Sequence, residues 1–266
     1  MTLVVGLVCQ DAIIIASDSR TSDLASGRIR DDAQKISLLQ LTKGVEALIA
    51  QAGHADLAAR AVEILERIAK DKPLNDYRAV SDLAEQALKE LRKRLLDQFH
   101  GSPEDFKKHL EEQDFELMIA HYYKSEPHIF TVQLAGSGLA IRRKRAKVCI
   151  GCGAPLADFL LNSFAVSEMP ISEAFTTAIY AVEEVKKHDM RCGGETQAGS
   201  SFFVPDPRKI VTQLADDEMV QSIVSEIASF EKTLQEDHKL KMRAIVEQAA
   251  KKWHAKKEKV AGVDLR

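Results

Sequence analysis

Thr2 carries the most reactive chemistry this sequence can offer. Loss of the single methionine ahead of it would leave a residue holding both a hydroxyl and a free α-amine, and a small second residue is the usual condition for that trimming. A hydroxyl is a weak nucleophile until a base takes its proton, and a neutral amine on the same residue can do so directly or through one water. An α-amine titrates at about 8, so a nearby cation is enough to keep it neutral near pH 7. That cation needs a carboxylate to hold it. Asp18 and Lys35 have the types and positions for these two roles.

The elements around them are read from apolar patterning. A strand beginning at Thr2 and the run Ala12-Ile13-Ile14-Ile15-Ala16 form two apolar strands joined at Gln10-Asp11, and Asp18 stands at the end of the second. Lys35 opens a strand to Leu41, which pairs with Val45 to Ala52 through a tight turn at Lys43-Gly44. Two strand ends beside the strand of Thr2 would gather all three groups. Helices follow from Asp56 to Ile68 and from Asp76 to Phe99, with an extra helical turn or two in Glu104 to Gln113. Short strands return between Phe115 and Ile150. A helix through Leu156, Phe159, Leu160 and Phe164 and another from Pro170, capped by Ser172, come next, and strands Ser200 to Val204 and Lys209 to Leu214 close the pattern.

The combination of Thr2, an apolar strand closing on Asp18-Ser19-Arg20, and Lys35 at the start of the next strand resembles the proteasome β-type subunits, a family of N-terminal nucleophile hydrolases. The run Ser17-Asp18-Ser19-Arg20-Thr21 is similar to that of the bacterial ancestral β-type members. The resemblance extends over residues 2 to 214 and implies an α+β fold, a four-layer αββα sandwich of two antiparallel sheets. It also implies that Gly53 offers its N–H to the developing oxyanion, and glycine physically permits close approach of a substrate backbone. Gly151-Cys152-Gly153 and Asp189-Met190-Arg191-Cys192-Gly193-Gly194 match two further motifs of the family. Cysteine replaces the family's serine in both. Asp189 would orient the amine, with Cys152 and Cys192 beside it, and thiols hydrogen-bond more weakly than hydroxyls. Gln51, where the family places its main pocket floor, and Thr21 are the expected substrate contacts.

By this resemblance the chain is a threonine-type peptidase, or an inactive structural subunit of a proteasome-like ring if Met1 stays in place. Its partners would be polypeptide substrates, further copies in a homo-oligomeric ring and an ATP-dependent unfoldase; no cofactor or metal is implied. A Cys/His zinc module built from Cys149, Cys152, His188 and Cys192 competes weakly, since a lone CxxC is a poor signal.

Composition removes other classes. With 45% apolar and 29% charged residues over 266, the chain can bury a large core in one domain, residues 1–214, plus a C-terminal helical extension, 215–266. In the extension Met219, Ile223, Ile227, Phe230 and Leu234 form an apolar stripe, continued by Ala244, Ile245, Ala249 and Trp253. A net charge of −3 offers no bulk attraction to nucleic acid or anionic membranes. Arg142-Arg143-Lys144-Arg145 lacks interleaved aromatics and reads as a solvated hairpin tip. No apolar run nears the roughly twenty residues of a membrane span, and four cysteines suit a reducing compartment, so a cytoplasmic location is expected.

Overall fold

The computed structural model describes residues 2–23, 28–42, 45–70, 72, 78–136, 138–144, 146–204, 209–237 and 241. Strands β1 (Leu3–Val8) and β2 (Ala12–Asp18) are buried along their whole length. Both faces of their sheet are covered, which is why these strands are continuous apolar runs and not alternating ones. With β10 (Lys147–Gly151), β11 (Thr196–Val204) and β12 (Lys209–Leu214) they form an antiparallel sheet in the order β10-β1-β2-β11-β12. The second antiparallel sheet follows chain order through β5 (Ile36–Thr42), β6 (Val45–Gly53), β7 (Phe115–Tyr123), β8 (Glu126–Ala135) and β9 (Gly138–Lys144).

The sheets pack face to face through Val4, Ile13, Ile15, Leu48, Met118 and Ile129 among others. Gly6 belongs to this contact because a Cβ there would lie 2.5 Å from the Met118 sulfur. Helices α1 (Ala55–Ala69) and α2 (Arg78–Gln98) cover the outer face of the second sheet, burying Leu57, Ile64, Leu65, Leu83, Leu88 and Leu91. Each such side chain contributes roughly 1.5–3 kcal/mol by leaving water. Helices α4 (Ala154–Leu161) and α5 (Ile171–His188) cover the first sheet, α5 with Ala178, Ile179, Val182 and Val185 inward. The result is the expected α+β sandwich of four layers.

Several local expectations are corrected. Residues 103–112 form a complete helix, α3 (Pro103–Glu112), held by a capping box between Ser102 and Asp105. Ser172 is not the cap of α5; Pro170 takes that position and Ser172 lies inside the first turn. Helix α4 stops at Leu161, short of the expected Phe164, and Phe159 is 73% exposed. A small hairpin, β3 (Thr21–Asp23) with β4 (Arg28–Arg30), gave no apolar signal in the sequence. The Lys43-Gly44 turn and Arg145 lie outside the described residues.

The chain divides into two compact units, Met1–Gln221 and a second beginning at Ser222. A helix, α6, occupies 217–237, where Phe230 and Leu234 are exposed. Ala244, Ile245, Ala249 and Trp253 lie outside the described residues. No described helix is long and apolar enough to cross a membrane.

Candidate active site

Asp18 sits at the last position of β2, fully buried, and its carboxylate gathers three donors. Oδ1 accepts from the Leu3 N–H at 2.9 Å and from Lys35 Nζ at 2.8 Å, while Oδ2 accepts from the Gly193 N–H at 2.9 Å. Thr2, itself buried, is therefore covalently adjacent to a backbone group held by the carboxylate that holds Lys35. Lys35 also donates to the Arg20 carbonyl. Burial pulls the Lys35 ammonium below its ordinary range, and attraction to Asp18 opposes that pull.

Lys35 owes its position to a residue far along the chain. Gln197, on β11, accepts from the Lys35 N–H at 2.9 Å and donates to the Ala33 carbonyl at 2.9 Å. The Lys35 carbonyl in turn accepts from Gln51 N–H at 3.2 Å, which ties the lysine to β6. Arg20 forms a bidentate pair with Asp31, at 2.7 and 3.0 Å, and donates to the Met190 carbonyl at 3.0 Å. Its own N–H donates to the Gly193 carbonyl at 2.9 Å. A Cβ at Gly193 would overlap the Arg20 guanidinium, so a side chain there would have to displace that group. Ser19 completes the join, accepting from the Glu195 N–H at 2.8 Å and donating to the Asp31 carbonyl.

Gly151 stands opposite Leu3 in the β1–β10 pairing with φ of 89°, and a Cβ there would overlap the Thr2 carbonyl. That close approach brings Cys152 Sγ within 3.4 Å of the Thr2 carbonyl oxygen and 3.9 Å from Cys192 Sγ. The thiols act as a pair. Cys152 is drawn below its usual range by the hydrogen bond from Cys192, and Cys192 is pushed up by the same bond and by burial. Asp189 caps α5, with ligand atoms of all three residues within 4.8 Å of one another. Its oxygens accept from Arg191, through the backbone at 3.0 Å and the guanidinium at 2.9 and 2.8 Å, which holds the carboxyl below the usual range.

The structure thus brings Thr2, Asp18, Lys35, Cys152, Asp189 and Cys192 to one end of the first sheet. Gly53 ends β6 with φ of 90°, and a Cβ there would lie 2.5 Å from the Asp114 carbonyl. Glycine is needed at that position for the fold alone. Gln51 and Lys35 line a recess of about 250 Å³ together with Ser37, Ala59 and Glu63. Thr21 opens the small hairpin opposite Arg30, half-exposed.

The zinc set read from the sequence is not assembled. Cys149 faces Asp158 and is strongly raised by burial, and His188 lies outside the cluster, 3.0 Å from Glu184. Among the described residues the group with metal-ligand spacing contains Cys152, Asp189 and Cys192 instead.

The fold and this sheet-end arrangement define the N-terminal nucleophile sandwich. The proteasome subunit family model matches residues 2–199, and the chain belongs to that family. A proteasome subunit beta of Methanocaldococcus fervens is 24% identical over 233 residues, 86% of this chain and 91% of that protein. Among solved structures, the Anbu Gly-1 mutant from Hyphomicrobium sp. strain MC1 superposes with a TM-score of 0.65 at 15% identity, covering 89% of this chain and 99% of its own. Anbu, an ancestral beta-subunit, from Yersinia bercovieri gives 0.65 at 13%, covering 87% and 95%. The chain is a proteasome-like subunit.

Proposed function

We propose that this subunit is a threonine-type peptidase whose nucleophile is the Thr2 hydroxyl, exposed by removal of Met1. The supporting observation is the buried Asp18 carboxylate, which binds the Leu3 N–H and Lys35 Nζ through one oxygen. It fixes a cation beside the residue whose amine must stay neutral, and that cation disfavours the ammonium form. The amine takes the hydroxyl proton, directly or through one water, and Thr2 Oγ attacks the peptide carbonyl. Gly53 N–H stabilises the oxyanion, the amine returns its proton to the leaving amino group, and an ester on Thr2 remains. Water, activated by the same amine, hydrolyses the ester. Asp189 orients the amine together with Cys152 and Cys192, and Gln51 and Thr21 contact the bound peptide.

The subunit acts as a homo-oligomer on polypeptides in the cytoplasm, with an ATP-dependent unfoldase delivering them. Support for assembly comes from the Anbu complex of Pseudomonas aeruginosa, described as a helical assembly, whose chain superposes with a TM-score of 0.65 at 13% identity. The test is the intact mass of the purified protein before and after a peptide epoxyketone, which needs both the hydroxyl and the free amine of Thr2. Loss of one methionine and a single adduct that Thr2→Ala abolishes is the expected result. A retained Met1 with no adduct overturns it and leaves a structural subunit.

A further inference from the structure

Two cysteines and an aspartate converge beside Thr2, and their geometry suits a metal ion better than a cross-link. The sulfurs of Cys152 and Cys192 are 3.9 Å apart. A disulfide requires about 2.05 Å. A tetrahedral zinc ion with Zn–S bonds of about 2.3 Å sets its sulfurs roughly 3.8 Å apart, so the thiols already stand at the edge of such a tetrahedron. A third donor is in place, since the ligand atoms of Cys152, Asp189 and Cys192 all lie within 4.8 Å of one another.

We propose that these residues bind one thiophilic divalent cation, Zn2+ being the ion such donors suit best, and that its occupancy switches the subunit off. The carboxylate can take part while held by Arg191. It has about four lone-pair sites, and Arg191 uses three of them, two on Oδ1 and one on Oδ2. Binding releases both thiol protons to solvent and leaves two thiolates and a carboxylate around the dication, a net single negative charge. Arg191 on the aspartate balances it, the charge of Lys35 being already taken up by Asp18. The serines that the family resemblance gives at positions 152 and 192 could not bind a soft ion this way, because thiolate is the zinc-selecting ligand.

Inhibition follows from what adjoins the site. Three protein ligands leave one position of the zinc tetrahedron open. Cys152 Sγ is 3.4 Å from the Thr2 carbonyl oxygen, so Thr2 is the residue adjoining the metal site. A freed α-amine captured by the ion cannot act as a base. This second half rests on the reading of Thr2 as nucleophile; the metal site does not.

The probe is Co2+, added to the full-length, reduced, chelator-dialysed protein. One equivalent per chain is expected to give a thiolate-to-cobalt band in the near ultraviolet that Zn2+ abolishes. Cys152→Ser/Cys192→Ser should lose the band, and Cys149→Ser should keep it. No band in protein with titratable thiols, or a band that survives the double substitution, overturns the site. In parallel, Zn2+ should suppress epoxyketone adduct formation and a chelator should restore it. An adduct yield indifferent to saturating Zn2+ overturns the inhibitory role. Failure of the Thr2 reading shows separately, as an absent adduct in metal-free protein.

Discussion

Asp18 and Lys35 form an ion pair of 2.8 Å with side-chain exposures of 0% and 2%. Taking one partner away strands a buried charge, at a cost of about 3–5 kcal/mol, whereas removing both together leaves none. Lys35→Met and Asp18→Asn should each lower the urea midpoint and abolish epoxyketone reactivity. The double variant should recover stability relative to the sum of the singles, with reactivity still absent. Urea denaturation beside the adduct assay checks this. Equal, additive losses of stability would mean that the pair is not coupled in the folded chain.

Gly151 is expected to tolerate no side chain, and Gly193 one only at the expense of the Arg20 contacts. Gly151 combines a positive φ with contact to the Thr2 carbonyl, and Gly193 faces the Arg20 guanidinium. Gly193→Ala should push Arg20 off Asp31 and loosen the Asp18 carboxylate from its third donor. Strain and lost bonds of roughly 2 kcal/mol or more should appear in the melting temperature. For Gly151→Ala a slower adduct rate should accompany the loss, because the carbonyl it displaces belongs to Thr2, the proposed nucleophile.

The site was legible where strand ends carried it. Asp18 closes an apolar run and Lys35 precedes another, so strand patterning made their meeting near Thr2 feasible and the family resemblance singled them out. Gln197 and Asp31 were not legible. Each acts through bonds across the fold, Gln197 by clamping the backbone of residues 33–35 and Asp31 by gripping Arg20, and neither belongs to a motif. Hairpin β3–β4 was hidden for a different reason: three-residue strands contain too few positions to show a period. Ser172 failed as a cap because cap propensity is local, whereas the helix start was set by Pro170 and the packing of Ala174 and Phe175.

Acid should destabilise the protein through a pair remote from the site. His121 and His128 face each other across β7 and β8 with ring centroids 5.5 Å apart, both buried. Burial lowers each from 6.5 to about 4, aided by His128 for the first and Arg143 for the second. The unfolded chain thus binds protons that the folded chain refuses. Stability is complete above about pH 6.5 and falls as pH drops towards 4, on the order of 2 kcal/mol per histidine by pH 5. Urea midpoints at pH 7 and 5 check it, with His121→Phe/His128→Leu expected to flatten the difference.

With Thr2 as the proposed nucleophile, the recess beside Lys35 should set which side chain is accepted next to the cleaved bond. Its volume of about 250 Å³ suits a medium to large residue, and Ala59 is one of the two alanines of its wall. Ala59→Leu would fill part of that space. A mismatch of one methylene in such a pocket costs about 1–3 kcal/mol, or roughly 10–200-fold in kcat/KM. Peptides with large side chains at this position should therefore lose that factor, while alanine-bearing peptides keep their rate. Glu63, on the same wall, adds a negative charge to the neutral floor at Gln51, so Glu63→Lys should reduce the rate on basic peptides and leave neutral ones unchanged. A fluorogenic peptide series run on the wild type and both variants measures each ratio. A uniform fall across all peptides would place the recess outside the substrate path and assign its shape to packing alone.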